Sequence, residues 1–575
     1  MAYENSGITF NGRRIIHPGA YDRIDTSAMT ASTPGSLNRP ILIGTADAGE
    51  AGKVMWWTDP SKARAYFKSG DLPTAVELAF SPLPEGGGGA SIVGTLLVNP
   101  TVAATKDVGG GKWTAKEFGA IGNEIQVKME DGTLAGTKKV SVYRFSTNDV
   151  ESWDNIGAIL EVNYTGSKAY AEIAVNAGVV TTKTGADSAT AAVDLTVDGK
   201  LPQYSTVDAL VSYINSMSGY SARIINMADA KMPVTALDTV TAVAIKDAPK
   251  TLLSAKIGIE TRVNVSSLLV NVSITGTPAN FPWTYLAGGQ KGTTPATWSP
   301  HFGTLRKEFF DLLCVLSSES AIHAEAAAHV QVMETRRQKQ YLFFGGDGSD
   351  PSKPEDKTKA KQRASAMNYR RAVLCYPAIY HPIVESGKKL LPGYMTAAMV
   401  CGRVAGVPTS EPITFDFFNI AGLGVDLVAG DPDIDELIAS GVCVMERVQN
   451  GGIRLAQGVT TYLGPVRTPN VEISTGRTAD EVSDRVTNRL EDTFVGSSSA
   501  IATNSSVTTE ATNVLDECTR EKLILGYRNI RVRFEGTAVY VDYEAAITEP
   551  INFILVTSHF VPSSTFNNLV EGQQI

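Results

Sequence analysis

A chain of 575 residues is too long for a single hydrophobic core, and at roughly 150 residues per domain it has room for three or four. Hydrophobic residues make up 43% and charged residues 19%, so real cores can be buried and a disordered chain is excluded. The net charge of −9, with no dense basic tract to follow phosphates, argues against direct nucleic-acid contact.

Residues 1–36 hold short β-prone pieces, Ile8-Thr9-Phe10 and Arg14-Ile15-Ile16-His17, broken by Pro18-Gly19 and Pro34-Gly35. Such a segment has too little apolar surface to fold alone, leaving two readings open: a tail without structure, or an arm ordered by pairing with a sheet edge. A buried-strand run follows at Ile41-Leu42-Ile43-Gly44. A helix is expected from Asp59 to Lys68, with Asp59 as N-cap and Pro60 at the first helical position. A second is expected from Leu72 to Phe80, then a strand from Ser91 to Val98, which together read as an α/β layer. From about 117 to 280 the chain turns β-rich, with runs at 124–130, 140–145, 173–180 and 193–197 and one helix from Val207 to Met217. This reads as a domain inserted into an exposed loop of another.

The α/β pattern resumes near Trp283. Ser317–Arg337 reads as a helix, Tyr341–Phe344 and Val373–Pro377 as strands, and Asp350–Lys361 as a charged surface loop. Tyr394–Val404 and Asp433–Ser440 read as helices, and Cys443–Arg447 with Ile453–Gln457 as a hairpin. Thr478 and Glu481 form the pattern of a capping box, ahead of a stripe of Val482, Val486, Leu490 and Phe494. A last helix is expected from Thr509 to Leu525, ended by Gly526. Ile530, Val532 and Phe534 then alternate with arginines, and Val539, Val541 and Tyr543 with polar residues, predicting a hairpin with one covered face. One more strand is expected over Ile551–Phe560 before a polar tail.

Motifs for catalysis are missing. No phosphate-binding G-x-x-x-x-G-K-[ST] loop and no G-x-S-x-G elbow occurs. His323 and His329 lie six apart, roughly 240° around a helix, and so do not make an i, i+4 metal pair. Asp347, Ser349 and Asp350 lack the glycine and distal glutamate of an EF-hand. The carboxylates from Asp431 to Glu436 are better explained as helix capping than as a cation site. Cys314, Cys375, Cys401, Cys443 and Cys518 are odd in number and widely spaced, which fits neither a disulfide framework nor a CxxC site. Four of them sit inside apolar runs such as Val442-Cys443-Val444 and read as buried thiols, in a chain expected to fold in a reducing cytoplasm. Met1–Asn5 lacks the features of a signal peptide, and the apolar stretch Tyr394–Val407 is interrupted by Arg403 and too short for a bilayer. The expectation is no enzyme, no cofactor, no metal and no direct membrane contact.

The order of features resembles the contractile tail sheath proteins of myovirus bacteriophages, particularly the long sheaths of phages of Gram-positive hosts. The resemblance rests on Pro18-Gly19-Ala20-Tyr21 with Ile24-Asp25-Thr26-Ser27, on Arg39 to Gly49, on Ala63 to Leu72 and on Gly119 to Val127. It continues in order through Leu286-Ala287-Gly288-Gly289, Trp298, Leu316 to Ala324, Leu391 to Ala397 and the C-terminal hairpin. It implies a multidomain α+β and α/β fold in six parts: an N-terminal arm (1–36), an α/β domain in two pieces (37–116 and 281–470), an inserted β-rich domain (117–280), a C-terminal α+β sheath core (471–560) and a C-terminal arm (561–575).

Such subunits form a homo-oligomer of stacked rings or a helix around a tail tube, meet baseplate and tail terminator proteins, and contract to drive the tube through the host envelope. The arms would complete a small sheet in neighbouring subunits. The residues that fit this β-augmentation are Ile8, Phe10, Ile15, Ile16 and Tyr21 at one end. At the other they are Ile530, Val532, Phe534, Val539, Val541, Tyr543, Ile551, Phe553, Leu555 and Phe560. The helix from Thr478 to Phe494 is a candidate for tube contact. The sheath of a headless contractile particle is an alternative reading, and an α/β enzyme a more distant one. Placement in the virion tail, after assembly in the host cytoplasm, is implied.

Overall fold

The computed structural model describes residues 8–10, 13–15, 38–382, 384, 387–449, 451–465, 470–498, 501–535 and 538–560. The chain divides into two compact units: Met1–Pro40 with Ala79–Ser91 and Glu308–Ile575, and Ile41–Leu78 with Ile92–Lys307.

The second unit holds the strands Pro40–Gly44 and Val93–Leu97, which pair in parallel, with Val54–Trp57 antiparallel to the latter. The helix Pro60–Phe67 begins as expected, since the Asp59 carboxylate accepts from the Ser61 amide at 2.9 Å. The β-rich stretch forms four small antiparallel sheets around two separate apolar clusters. It also carries a helix unforeseen in the sequence, Ala255–Ser266, whose apolar residues are too sparse to form a stripe. The run 173–180 proves to be two strands, Tyr170–Asn176 and Val179–Gly185, turned at Ala177-Gly178 where both residues have positive φ.

The first unit carries the site. It contains a short antiparallel pair, β1 (Ile8–Phe10) and β2 (Arg13–Ile15), with Ile8 opposite Ile15. Its sheet is built from β3 (Leu312–Val315), β4 (Tyr341–Gly345), β5 (Ala372–Tyr376), β6 (Phe417–Phe418), β7 (Val442–Arg447) and β8 (Ile453–Leu455). The order is β6-β8-β7-β5-β4-β3, with β3, β4, β5 and β7 parallel. Every residue of β3, β4 and β5 is buried, as parallel strands covered on both faces require.

The helices α1 (Ser320–Thr335), α2 (Lys357–Met367), α3 (Gly393–Ala405) and α4 (Pro432–Ala439) pack on this sheet. The start of α2 corrects the expected loop at 350–361. Lys357 pairs with Asp433, and Lys361 with Glu436 at 2.6 Å, so those charges tie α2 to α4 rather than coat a loop. The remaining elements are α5 (Ile473–Phe494), α6 (Asn504–Arg520) and the antiparallel strands β9 (Ile524–Glu535) and β10 (Ala538–Ile547).

Helix α5 begins a turn and a half before the expected capping box. Thr478 lies inside the helix, its hydroxyl donating to the Ser474 carbonyl at 2.8 Å, and Glu472 occupies the cap position. The first two turns escape apolar periodicity because they bury polar side chains, among them Ser474, Thr475, Arg477, Thr478 and Glu481. Arg477 and Glu481 among them have tertiary partners, as has Asp480. Arg477 donates to the Val404 carbonyl at 2.9 Å, bonds Asn38, and lies 3.5 Å from Asp311. Asp480 accepts two bonds from the fully buried Arg371 at the head of β5, at 2.9 and 2.6 Å. Arg371 also pairs with Glu334 of α1. Burial raises the Glu334 carboxyl, but bonds from Arg371, Tyr369 and Arg370 outweigh it and bring it down to about 2. Glu481 accepts from Thr409 and from Arg485 at 2.5 Å, and Arg485 reaches on to Glu521 at 2.6 Å.

Two consequences follow from these burials. Removing one partner of a buried ion pair strands the other charge, so Asp480→Ala should lower unfolding free energy by about 3 kcal/mol in urea titration. Glu472 is pushed up to about 7 by burial, only partly countered by Gln457 and Thr414. A carboxyl raised above its ordinary value of 4.5 stabilises the fold below that pH and loses the contribution as pH rises through about 7. Glu472→Gln should therefore be more stable than wild type at pH 8, by on the order of 2 kcal/mol, and indistinguishable from it at pH 4.

Candidate assembly interface

The hairpin β9–β10 stands on α5 and α6. Val482, Val486, Val514, Leu515, Cys518, Leu523 and Ile524 form its buried base, against which Tyr527, Ile530, Tyr543 and Ala545 pack. α6 starts at a capping box between Thr503 and Ser506, and it ends at Arg520, earlier than the expected Leu525. Lys522 turns the chain with φ of +63°, and the Leu523 amide returns to the Cys518 carbonyl at 3.0 Å. Leu523 and Ile524 are thereby delivered to the core as the strand begins. The apolar residues at 523–525 could extend a helix or open a strand, and the core contact selects the strand.

Val532 faces Val541 and Phe534 faces Val539 across the hairpin, with Arg531 opposite Asp542. The expected alternation is present, but the apolar face is covered only near the base. Ile530, Val532, Val541 and Tyr543 are half-buried, whereas Phe534 is 39% and Val539 40% exposed. The Arg533 guanidinium lies over the Tyr540 ring at 4.5 Å, and Arg528 bonds Glu544 at 2.7 Å. Neither outer edge of the pair is bonded to another strand of the chain among the described residues.

The expected strand 551–560 is not formed. Ile551, Phe553, Leu555 and Phe560 are 84%, 83%, 95% and 94% exposed in a segment without regular structure. The β-prone apolar run beyond the hairpin pairs with no described strand of its own subunit, so local propensity alone does not make it a strand. At the other end, Ile8, Phe10 and Ile15 fall in β1 and β2, while Ile16 and Tyr21 lie outside the described residues. The helix expected to face a tube has Thr478, Glu481, Val482 and Val486 buried, and its exposed residues, Asn488, Arg489, Glu491, Asp492 and Thr493, lie toward its C-terminal end.

A cleft of about 820 Å³ lies beside α5, lined among others by Lys339, Asp480, Asp484, Arg485, Arg489 and Glu517. Several of its charges are paired: Lys339 reaches Asp484 at 2.8 Å and Arg489 reaches Glu517 at 3.4 Å. Among the described residues no group of three or more His, Cys, Asp or Glu is placed to hold a metal. His323 donates from Nε2 to the Ser317 carbonyl at 2.7 Å, and burial pushes its pKa down to about 4. His329 stacks on Phe310 at 6.4 Å between ring centres. All five cysteines are buried and unpaired with one another. No helix among the described residues is long and apolar enough to cross a membrane.

No family model matches the chain. The tail sheath protein of Bacillus phage SP01 is 50% identical over 570 residues, covering 98% of this chain and 99% of that protein. The chain belongs to the phage tail sheath proteins. More distant relatives are the putative tail sheath protein of Enterococcus phage phiEF24C, 27% identical over 95% of this chain, and the tail sheath protein of Staphylococcus phage Twort, 26% identical over 85%. They cover 97% and 87% of those proteins' lengths. The fold is similar to the solved sheath tail protein of Desulfitobacterium hafniense (TM-score 0.57, 12% identity, 93% of this chain and 97% of that one). It is also similar to that of Listeria innocua (TM-score 0.52, 12% identity, 90% and 97%). This sheath subunit is thus a structural component of the virion, not an enzyme, with the mixed α/β multidomain fold of its family.

The base and the rim of the sheath hairpin should respond differently to truncation. Leu515→Ala, in the fully buried base, should cost about 3 kcal/mol in denaturant unfolding, while Phe534→Ala should cost less than about 1.

Proposed function

We propose that the subunit polymerises around a tail tube by exchanging terminal strands with neighbouring subunits, and that the polymer contracts on a baseplate signal to drive the tube through the host envelope for genome ejection. The observation that carries this reading is the combination of a two-stranded sheet whose edges are both unpaired among the described residues and an apolar segment, 551–560, left almost wholly exposed in the same chain. Free edges are templates for a strand from another chain, and an exposed apolar run of this kind is a strand lacking its sheet. Exchange of strands from one subunit to the next does not close on itself and so extends into an array. In this reading 1–36 and 561–575 act as arms, 471–560 as the core that receives them, and 117–280 as an outward insertion.

Contraction needs two packings of one subunit separated by a few kcal/mol. Summed over the polymer, that difference supplies the work without nucleotide. The arms stay paired and serve as hinges. The exposed end of α5, with Asn488, Arg489, Glu491 and Asp492, is the part of that helix free to meet a tube, and baseplate and terminator proteins would bound the polymer.

Deleting residues 1–20 or 551–575 should leave a soluble, folded protein with an unchanged circular dichroism spectrum that forms no tubes in negative-stain micrographs. Sheath-like tubes of normal appearance from either truncation would refute strand exchange.

A further inference from the structure

We propose that the β-rich part of this sheath subunit carries a binding face for an uncharged polysaccharide of β-linked pyranose rings. The face belongs to the antiparallel sheet of Asp149–Ile156, Lys138–Arg144, Ile125–Asp131 and Phe281–Tyr285, in that order. One side of this sheet is core, with Val127, Met129, Val140 and Val142 buried. The other side points to solvent, as alternation along each strand requires. There Val150, Tyr143, Gln126 and Tyr285 stand opposite one another in a row across all four strands. Phe145 continues the ladder through its amide, bonded to the Glu124 carbonyl at 3.3 Å, and two residues beyond Tyr143 it falls on the same side. Phe145, Val150 and Tyr285 are exposed, and so is Trp283.

A bulge brings in Trp283. Phe281 pairs with Met129 and Thr284 with Val127, so Pro282 and Trp283 together oppose Lys128. The extra residue re-aims the indole, which meets Tyr143 edge to face with 6.3 Å between ring centres and 66° between planes. The Tyr143 hydroxyl donates to the Asn148 side chain at 3.2 Å, which holds that ring from its other end. Two strand spacings, about 10 Å, separate Tyr143 from Tyr285. Among the described residues, Trp283 Nε1, the Tyr285 hydroxyl and the Gln126 amide make no hydrogen bond within the chain. Rings placed by backbone pairing, with unused polar groups beside them, are a preformed platform.

Charge and size select the ligand. In the rows through Tyr143 and Ser141 the only charged side chain is Lys128, and Glu130 pairs with it at 2.7 Å. An anionic polymer needs free cations, so the ligand is neutral. The face is about 14 Å across its four strands and similar along them, on the order of 200 Å², against about 800 Å² per partner in a stable protein complex. That area suits a short stretch of glycan. A pyranose with equatorial hydroxyls has C–H groups on both faces and hydroxyls around its rim. The C–H faces lie on the rings, and the rim hydroxyls meet Trp283 Nε1, Tyr285 and Gln126. With 117–280 read as an outward insertion, as proposed above, every subunit of the polymer presents this face, and contacts that are weak singly hold together in the array.

Isothermal titration of the full-length subunit with chitohexaose and with cellohexaose tests the face. We expect saturable binding of at least one of them, weakened at least tenfold by Trp283→Ala and by Tyr143→Ala. Met227→Ala, at an exposed apolar residue outside this sheet, should leave it unchanged. Thermal unfolding checks that each variant is folded; if Trp283→Ala melts early, Tyr285→Ala at the exposed edge of the row takes its place with the same tenfold loss. Failure of both saccharides to bind, or equal affinity in the ring variants, overturns the proposal. Binding of poly(glycerol phosphate) in place of the neutral sugars overturns it too, as does a dimer in analytical ultracentrifugation that disappears with Trp283→Ala, which would give the face to a second copy. Binding by the subunit that is lost in assembled tubes leaves the site standing and overturns the outward placement of 117–280.

Discussion

The structure of the first unit depends on a helix that is polar where it is most buried. Over its first turns α5 is held not by an apolar stripe but by Arg477 and Asp480, whose partners, Val404 of α3 and Arg371 just before β5, lie far away in the chain. The Arg371–Asp480 pair is the center of this arrangement, with Arg371 wholly buried and bonded on two sides. Buried ion pairs add little over an apolar contact of the same shape, but they tolerate only one geometry. That geometry aims the second half of α5, with Val482 and Val486, at α6 and the hairpin. The platform for the hairpin is thus oriented by charges at its opposite end.

A two-stranded ribbon is marginal alone, and this one is stabilised only along its base. Its outer half leaves Phe534, Val539 and Tyr540 in solvent, and the chain beyond it adds five more large apolar residues from Ile551 to Val556. Exposure on this scale in one region marks an interaction surface rather than scattered surface residues. In the proposed strand exchange, one subunit would supply both halves of the contact, a receiving edge and a strand for a neighbour's edge.

Where the sequence was legible, the signal was local. Asp59-Pro60 marks a helix start through contacts within three residues, and Val539, Val541 and Tyr543 alternate as a strand must. Asp431 caps α4 by accepting from the Asp433 amide at 3.0 Å, as its place before Pro432 implies. The misreadings share a cause. Thr478 and Glu481 have the spacing of a capping box, yet Thr478 is bonded within the helix and Glu481 is taken by Thr409 and Arg485. The charges of 357–361 read as a solvated loop because their partners, Asp433 and Glu436, are on another helix. The β-prone run 551–560 has strand propensity but pairs with no described strand of its own subunit.

The sequence by itself determined the kinds of element, the alternation of the hairpin, the β-prone ends and the absence of catalytic motifs, because each is written in residues close together along the chain. Collinear blocks also determined the family, since short motifs in a conserved order need no three-dimensional context. Only the tertiary structure decided where α5 begins and how far the hairpin is covered. Those depend on which distant side chain meets which, as Arg371 meets Asp480 and Leu523 meets the α5–α6 core, and periodicity carries no record of such meetings.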